Sequence, residues 1–310
     1  MILLLVVSLV VSANAAAQYS DSLARNFMFP LSAAAYSNNP QKCLDRLFPN
    51  STVFRQVHVR CDAFKKDNCS GFTAVLHPQK AIVLSFRGTM RLSQLLAEIM
   101  KTIFVQLVNS SVLFDSLSIN SANDGFDNYF RIWSAGMNND FYALREMYPD
   151  YEIWVTGHSL GGSIASLAAS YLIGSRSANS SQIKLITFGQ PRTGNAHFSE
   201  NHNKQLEYSF RVTHWRDIVP HIPLGPIGGY YHHRQEAFYK SKMDPHEVKI
   251  CSEGEALECS DGLWFAASIY EHTHYFGKHV STYGVSGCVK SGLPFHPSDT
   301  PLDMFEVMPE

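Results

Sequence analysis

The chain has 310 residues, a formal net charge of −2, and 45% hydrophobic against 17% charged residues. That is enough apolar material for the core of one large domain or two small ones. The near-neutral balance excludes a nucleic-acid partner, and without a basic run there is nothing to draw the chain to anionic lipid by charge. No later stretch is long and apolar enough to span a membrane.

In chain order, the first segment is MILLLVVSLVVSANAAA. An apolar run from Ile2 to Val11 precedes small residues, with Ala13 and Ala15 in an A-x-A arrangement. This is the pattern of a secretory signal peptide over residues 1–17. The run is too short for the ~20 residues that a bilayer-spanning helix needs. Secretion to the extracellular space or the secretory lumen is the expectation, with residues 18–288 as one domain. The spacing predicts a helix over 22–36, apolar on one side. TAVLHPQKAIVLSFRGT (73–89) reads as two strands around a His77-Pro78 turn. Residues 123–148 carry Phe126, Tyr129, Phe130, Trp133, Met137 and Phe141 at helical spacing. Strands follow at 151–156, 183–189 and 208–214, with a helix after the first of them. The tail, 289–310, contains four prolines and little periodicity. Strands alternating with helices predict an α/β fold, a largely parallel sheet with helices on both faces. No repeat or linker divides it.

Where the 151–156 strand meets its helix stands Gly157-His158-Ser159-Leu160-Gly161, a G-x-S-x-G. A serine at such a junction sits on a sharp, strained turn that lifts its hydroxyl above the sheet. The residues two before and two after approach too closely to carry side chains. The helix N-terminus behind the serine favours developing negative charge, and the Leu160 N–H is placed to donate to an oxyanion. Average glycine and serine usage gives about 0.1 chance matches in a chain of this length. Ser159 is therefore read as a nucleophile.

A nucleophilic serine needs a base, and the base an orienting carboxylate, in the order Ser, Asp or Glu, His for this architecture. Asp217, on the loop after the 208–214 strand, lies where active sites of open α/β sheets gather. Asp244 and Asp261 are rivals better read as solvated loop acids. Eight histidines follow Asp217. His272 and His274 lie late in the chain, whereas His221, His232, His233 and His246 read as structural or exposed. Spacing alone leaves the base open.

Several separate motifs remove that ambiguity by resemblance: SFRGT at 85–89, GF at 125–126, VTGHSLGG at 155–162, TFGQPRTGN at 187–195, RDIVPHIP at 216–223 and HTHYFG at 272–277. In series they resemble the class 3, fungal-lipase-like lipases over nearly the whole mature length. The resemblance implies an α/β-hydrolase fold and a secreted serine ester hydrolase. It implies His272 as base, Asp217 as orienting acid, and Thr89 as an oxyanion donor beside Leu160. It implies no cofactor and no metal, since the three side chains supply the chemistry. Triacylglycerol is the expected substrate. A phospholipase A1, galactolipase or other carboxylesterase on the same scaffold is the alternative, and a non-catalytic lipid-binding relative is remote.

RLSQLLAEIMKTIFVQLVNS follows SFRGT, with Leu92, Leu95, Leu96, Ile99, Met100, Ile103 and Leu107 at helical spacing. In the family this position is a lid over the serine, so residues 90–110 are expected to cover the site and open at a lipid–water interface. It is longer than the short fungal lid.

The six cysteines suit an exported chain. Cys61 with Cys69 and Cys251 with Cys259 are close in sequence. If both are local clips, Cys43 must reach Cys288. The fungal enzymes have short bridges and one from domain start to end, which supports Cys43–Cys288, Cys61–Cys69 and Cys251–Cys259. With no CxxC pair, zinc is not indicated. N-x-S/T sequons at Asn50, Asn68, Asn109 and Asn179 permit N-glycosylation. Oligomeric state is not legible.

Overall fold

A computed structural model of the chain describes residues 17–60, 68–88, 129–223, 225, 229–263 and 268–289. Residues 1–16 of the expected signal segment, Cys61, Thr89, the expected lid at 90–110 with Asn109, and residues 290–310 of the tail lie outside the described residues.

Alternate side chains of the central strands face two different apolar clusters, which is why the sheet is covered on both sides. The strands β1 (Ser51–Arg60), β2 (Asn68–Leu76), β3 (Ala81–Phe86), β4 (Glu152–His158), β5 (Ile183–Phe188), β6 (Ser209–His214), β7 (Glu236–Tyr239) and β8 (Lys249–Cys251) pair in sequence order. From β3 to β7 neighbours are parallel, while β1, β2 and β8 pair antiparallel at the edges. Val83, Trp154, Ile186, Phe188, Phe210 and Val212 face one cluster. Leu84, Phe86, Ile153, Val155 and Leu185 face the other.

Helix α1 runs over 21–34 on the first side, with Met28, Phe29 and Leu31 buried. It widens into a π-turn over Ala24–Met28, where the Phe29 N–H reaches the Ala24 carbonyl. Pro30 follows at once, with no N–H and a ring that crowds the preceding turn, and the widened turn accommodates it. Helix α2 (Gln41–Leu47) lies on the same side. Helix α3 (Asn138–Met147), α4 (Leu160–Gly174) and α5 (Ala196–Gln205) cover the other. The helical run ahead of α3, described from Tyr129 on, breaks at Gly136, whose φ is 125°. In that run Trp133, Met137 and Phe141 are buried at helical spacing as expected, but Phe130 is 45% exposed and points to solvent. In α4 nearly every side chain is buried, and its Gly, Ala and Ser residues let it lie close on β3, β4 and β5.

Two short helices complete the description: α6 (Ile269–Thr273) and α7 (Val280–Val285), separated by the small hairpin of β9 (His274–Tyr275) and β10 (Lys278–His279). Helix α7 packs on α1 so closely that a Cβ on Gly284 would stand 1.8 Å from the Ala33 carbonyl oxygen. Beside this contact Cys43 is bonded to Cys288, across 245 residues. Cys251 is bonded to Cys259. Cys69 is also disulfide-bonded, and Cys61, its expected partner, lies outside the described residues. Among the described residues no helix is long and apolar enough to cross a membrane. Asn50, Asn68 and Asn179 are exposed.

Candidate active site

Ser159 stands between β4 and α4 with φ 59° and ψ −132°, a left-handed conformation that a side-chain-bearing residue adopts only under tertiary constraint. Two hydrogen bonds and two steric contacts impose it. The Ser159 N–H donates to Phe188 O at 2.9 Å, and the Gly162 N–H donates to Ser159 O at 2.8 Å. A Cβ on Gly157 would stand 2.1 Å from Gly161 O, and one on Gly161 would stand 2.3 Å from Phe86 O. Both glycines of the pentapeptide are thus required by backbone crossing backbone. Leu160 opens α4, so its N–H belongs to the first turn and has no intrahelical acceptor.

Around Ser159 the fold gathers a histidine and an aspartate from distant parts of the chain. His272, in α6, brings Nε2 to 3.0 Å from Ser159 Oγ. Its Nδ1 lies 3.0 and 3.1 Å from the two carboxylate oxygens of Asp217. The three residues are 1–2% exposed. Asp217 follows β6 in a turn closed by its N–H to His214 O. Its Oδ1 accepts from the Val219 N–H at 2.9 Å, and its Oδ2 from the Tyr275 hydroxyl at 2.7 Å. Burial pushes the Asp217 carboxyl up, but the charge and hydrogen bond of His272, with the donors Tyr275 and Val219, outweigh it and hold the group below the ordinary carboxylate range. A carboxylate kept ionised beside Nδ1 holds its hydrogen there and leaves the Nε2 lone pair facing the serine hydroxyl. Such a line can pass a proton from Oγ to Nε2 and stabilise the imidazolium formed.

Sequence reading left two histidines and three acids in play, and geometry separates them. His274 lies with Nδ1 at 2.9 Å from Tyr270 O, its ring stacked on Tyr270 at 4.0 Å. Asp244 is an exposed cap that accepts from the His246 N–H. Asp261 is not the solvated loop acid expected. It is largely buried in an ion-pair group with Arg192 at 3.2 Å and His221 at 3.1 Å, and Arg192 also binds Glu255 at 2.6 Å. His232 and His233 are buried and hydrogen-bonded to main-chain carbonyls, while His246 is exposed. Thr89 lies outside the described residues, directly after Gly88, where a Cβ would stand 2.5 Å from His158 O and 3.0 Å from Ser159 Cβ. The strand that leads to Thr89 therefore passes against the serine turn.

Three contributors went unassigned in the sequence. Gly189, in TFGQPRTGN, has φ 55°, and a Cβ there would stand 2.9 Å from Asp217 Oδ2 and 3.0 Å from His272 Nδ1. Tyr275, inside HTHYFG, binds the aspartate. His158, the second residue of the pentapeptide, stacks on His272 with ring centroids 4.6 Å apart. Each lies in a quoted motif, which was the available signal. Among the described residues no group of three or more His, Cys, Asp or Glu is arranged to hold a metal ion.

Residues 83–226 match the family model for lipase, class 3. A lipase of Caenorhabditis elegans is 33% identical over 310 aligned residues, spanning 88% of this chain and 83% of that one. A lipase of Rhizomucor miehei is 32% identical over 64% of this chain, but the match spans 53% of its own length. Among solved structures, the lipase from Rhizopus microsporus var. chinensis superposes with a TM-score of 0.70 at 25% identity, covering 85% of this chain and 90% of that one. The chain belongs to the class 3 lipase family and is a serine hydrolase of carboxylic esters with the α/β-hydrolase fold.

Proposed function

We propose that the protein is a secreted triacylglycerol lipase that works through an acyl-enzyme on Ser159. His272 takes the Ser159 proton as Oγ attacks the ester carbonyl, and Asp217 holds the imidazolium. The N–H groups of Leu160 and Thr89 stabilise the oxyanion. The alcohol leaves with a proton from His272, and water releases the fatty acid by the same steps in reverse order. The observation that carries this reading is the continuous buried contact from Asp217 through His272 to Ser159 Oγ. The apolar periodicity of residues 90–110 supports a lid that opens at a lipid surface. A fungal lipase–inhibitor complex described as a model for interfacial activation has the same fold, with a TM-score of 0.67 at 25% identity. The leader pattern at 1–17 and the two bridges support secretion, with residues 18–288 forming the exported domain and 289–310 a tail. A relative from Fusarium solani named as a secreted mono- and diacylglycerol lipase is 27% identical over 61% of its length.

The decisive experiment is a substrate panel on the exported protein with Ser159→Ala as blank. Triacylglycerols, partial glycerides, phospholipids and galactolipids are compared above and below their solubility limits. The expected result is fatty-acid release from triacylglycerol that rises beyond its solubility and disappears in the variant, together with labelling by a serine-reactive phosphonate. Labelling retained in Ser159→Ala removes the nucleophile assignment. Preference for a phospholipid or galactolipid removes the triacylglycerol reading and leaves the nucleophile standing.

A further inference from the structure

The helix that carries the base has five residues, Ile269–Thr273; its closing hydrogen bond runs from the His274 N–H to Glu271 O, and with the Phe276 N–H turned to Met243 Sδ the His272 carbonyl has no i+4 helical donor. Buried carbonyls left without a donor are costly, and partners from elsewhere must supply one. Two buried imidazoles do so. His158 Nε2 lies 2.8 Å from the carbonyl oxygen of His272 itself. His214 Nδ1 lies 2.6 Å from His274 O and 3.1 Å from Glu271 O, the carbonyls on either side of it. His214 Nε2 lies 3.1 Å from Ser241 O; a neutral ring has one N–H, and the 2.6 Å contact to His274 O assigns it to Nδ1. Both histidines are 4% exposed.

The other nitrogen of His158 shows how its orientation is set. Tyr36 Oη lies 2.8 Å from His158 Nδ1. A carbonyl only accepts, so His158 Nε2 carries the hydrogen toward His272 O, and the neutral ring accepts at Nδ1 from the Tyr36 hydroxyl. The Tyr36 oxygen in turn accepts from the Gly88 N–H. Burial, with the nearby His272 charge, keeps the His158 ring neutral by lowering its pKa to about 3. A buried path therefore runs from Gly88, two residues past β3, through Tyr36 and His158 to the main chain of the base.

We propose that Tyr36, His158 and His214 are positioning residues for ester hydrolysis, capping the carbonyls of Glu271, His272 and His274 so that His272 Nε2 is held on Ser159 Oγ. This rests on the reading of His272 as the base. None of the three touches substrate. They act by fixing the main chain on both sides of the imidazole, and Tyr36 couples that fixation to Gly88, which passes against the serine turn. A shift of ~1 Å in a catalytic group is enough to lose much of its effect.

The test uses the full-length exported protein on a soluble short-chain ester, with rates counted per serine labelled to completion by a phosphonate. Tyr36→Phe, His158→Phe and His214→Phe are each expected to lower kcat per labelled site about tenfold with KM little changed. His158→Gln puts an amide N–H near the Nε2 position and His214→Asn near the Nδ1 position. Each is expected to recover most of the kcat lost by its phenylalanine counterpart. A residue with only a structural role would reduce the labelled fraction and the melting temperature instead. Tyr36→Phe removes one oxygen, and it carries the decision if a histidine variant does not fold. Its kcat within about twofold of wild type overturns the proposal. Ser159→Ala separates the two readings. Activity retained there overturns the base assignment and this proposal together. Activity lost there, with wild-type kcat in Tyr36→Phe, overturns the positioning role alone.

Discussion

Tyr275 donates its hydroxyl hydrogen to Asp217 Oδ2 at 2.7 Å, on the same carboxylate whose two oxygens face His272 Nδ1. The tyrosine is fully buried, and burial together with the neighbouring carboxylate drives its own ionisation well above the ordinary range, so it remains a donor. Tyr275→Phe is expected to lower kcat about tenfold, since a hydrogen bond to a charged group contributes ~1.5–3 kcal/mol. Asp217→Asn should cost far more, on the order of 10⁴, because it loses the imidazole orientation itself. Single-turnover rates on a soluble ester would rank the two, and equal losses would contradict the argument.

Gly189 and Gly277 have similar left-handed backbones, with φ of 55° and 71°, yet different surroundings. A Cβ on Gly189 meets Asp217, Tyr275 and His272 at 2.9–3.0 Å, whereas one on Gly277 meets nothing within 4 Å. Gly277→Ala should cost ~1 kcal/mol of stability from backbone strain and leave kcat unchanged. Gly189→Ala carries the same strain and should also lower kcat by about a hundredfold or more, by displacing the aspartate–histidine pair. Denaturant midpoints and kcat for both variants test this, and a fully active Gly189→Ala would refute it.

Four buried histidines make the fold acid-sensitive. Burial is the first cause in each case, lowering His158 and His233 to about 3 and His202 and His232 well below the ordinary value. In the unfolded chain they take up protons near pH ~6.5. The stabilisation from burying them neutral is complete above that pH. It declines as pH falls toward ~3, by about 1.4 kcal/mol per unit for each histidine. Glu255, raised chiefly by burial, works in the opposite sense, but it is one group against these four, with His274 and His279, also lowered by burial, acting on their side. Denaturant midpoints should fall steeply between pH ~6.5 and ~4. A flat profile over that range would count against neutral burial.

The two bridges described should contribute unequally. Cys43–Cys288 spans 245 residues and Cys251–Cys259 spans 8. In the chain-entropy model the longer loop constrains the unfolded chain more, by ~5.5 against ~2.5 kcal/mol. The long bridge also ties α2, which carries Cys43, to the turn that follows α7. Replacing Cys43 and Cys288 by Ser should therefore lower the melting temperature more than replacing Cys251 and Cys259. Calorimetry on the two double variants decides, and the reverse order would show that native-state contacts outweigh loop entropy.

Strands β3 to β6 were legible because each is a buried run of β-branched and apolar residues bounded by turn signals. Strand β1 was not, since it is an edge strand whose STVFRQVHVR mixes exposed polar and apolar residues without clean alternation. Strands β7 and β8 have four and three residues, too few for a period to emerge. Phe130 falls within the helical spacing and still points to solvent, because Tyr129, Trp133 and Met137, four residues apart, define the buried face and Phe130 stands one residue, about 100° of turn, beyond it. Asp261 looked like a loop acid because its partners Arg192 and His221 are 69 and 40 positions away, and nothing near it in the chain announces them.

By itself, the sequence determined the serine turn. Five consecutive residues carry all the steric requirements of that turn, and glycine is the one residue that meets them at both flanking positions. The family motifs then named an acid and a base by resemblance. Only the tertiary structure decided which side chains meet Ser159 Oγ and what holds them there. His272 lies 113 residues beyond the serine and 55 beyond Asp217. Contacts over such separations depend on strand order, on where each loop leaves the sheet, and on the donors that cap a five-residue helix. Those are properties of the packed chain, distributed over Tyr36, His158, Gly189, His214 and Tyr275, and no contiguous stretch of residues encodes them.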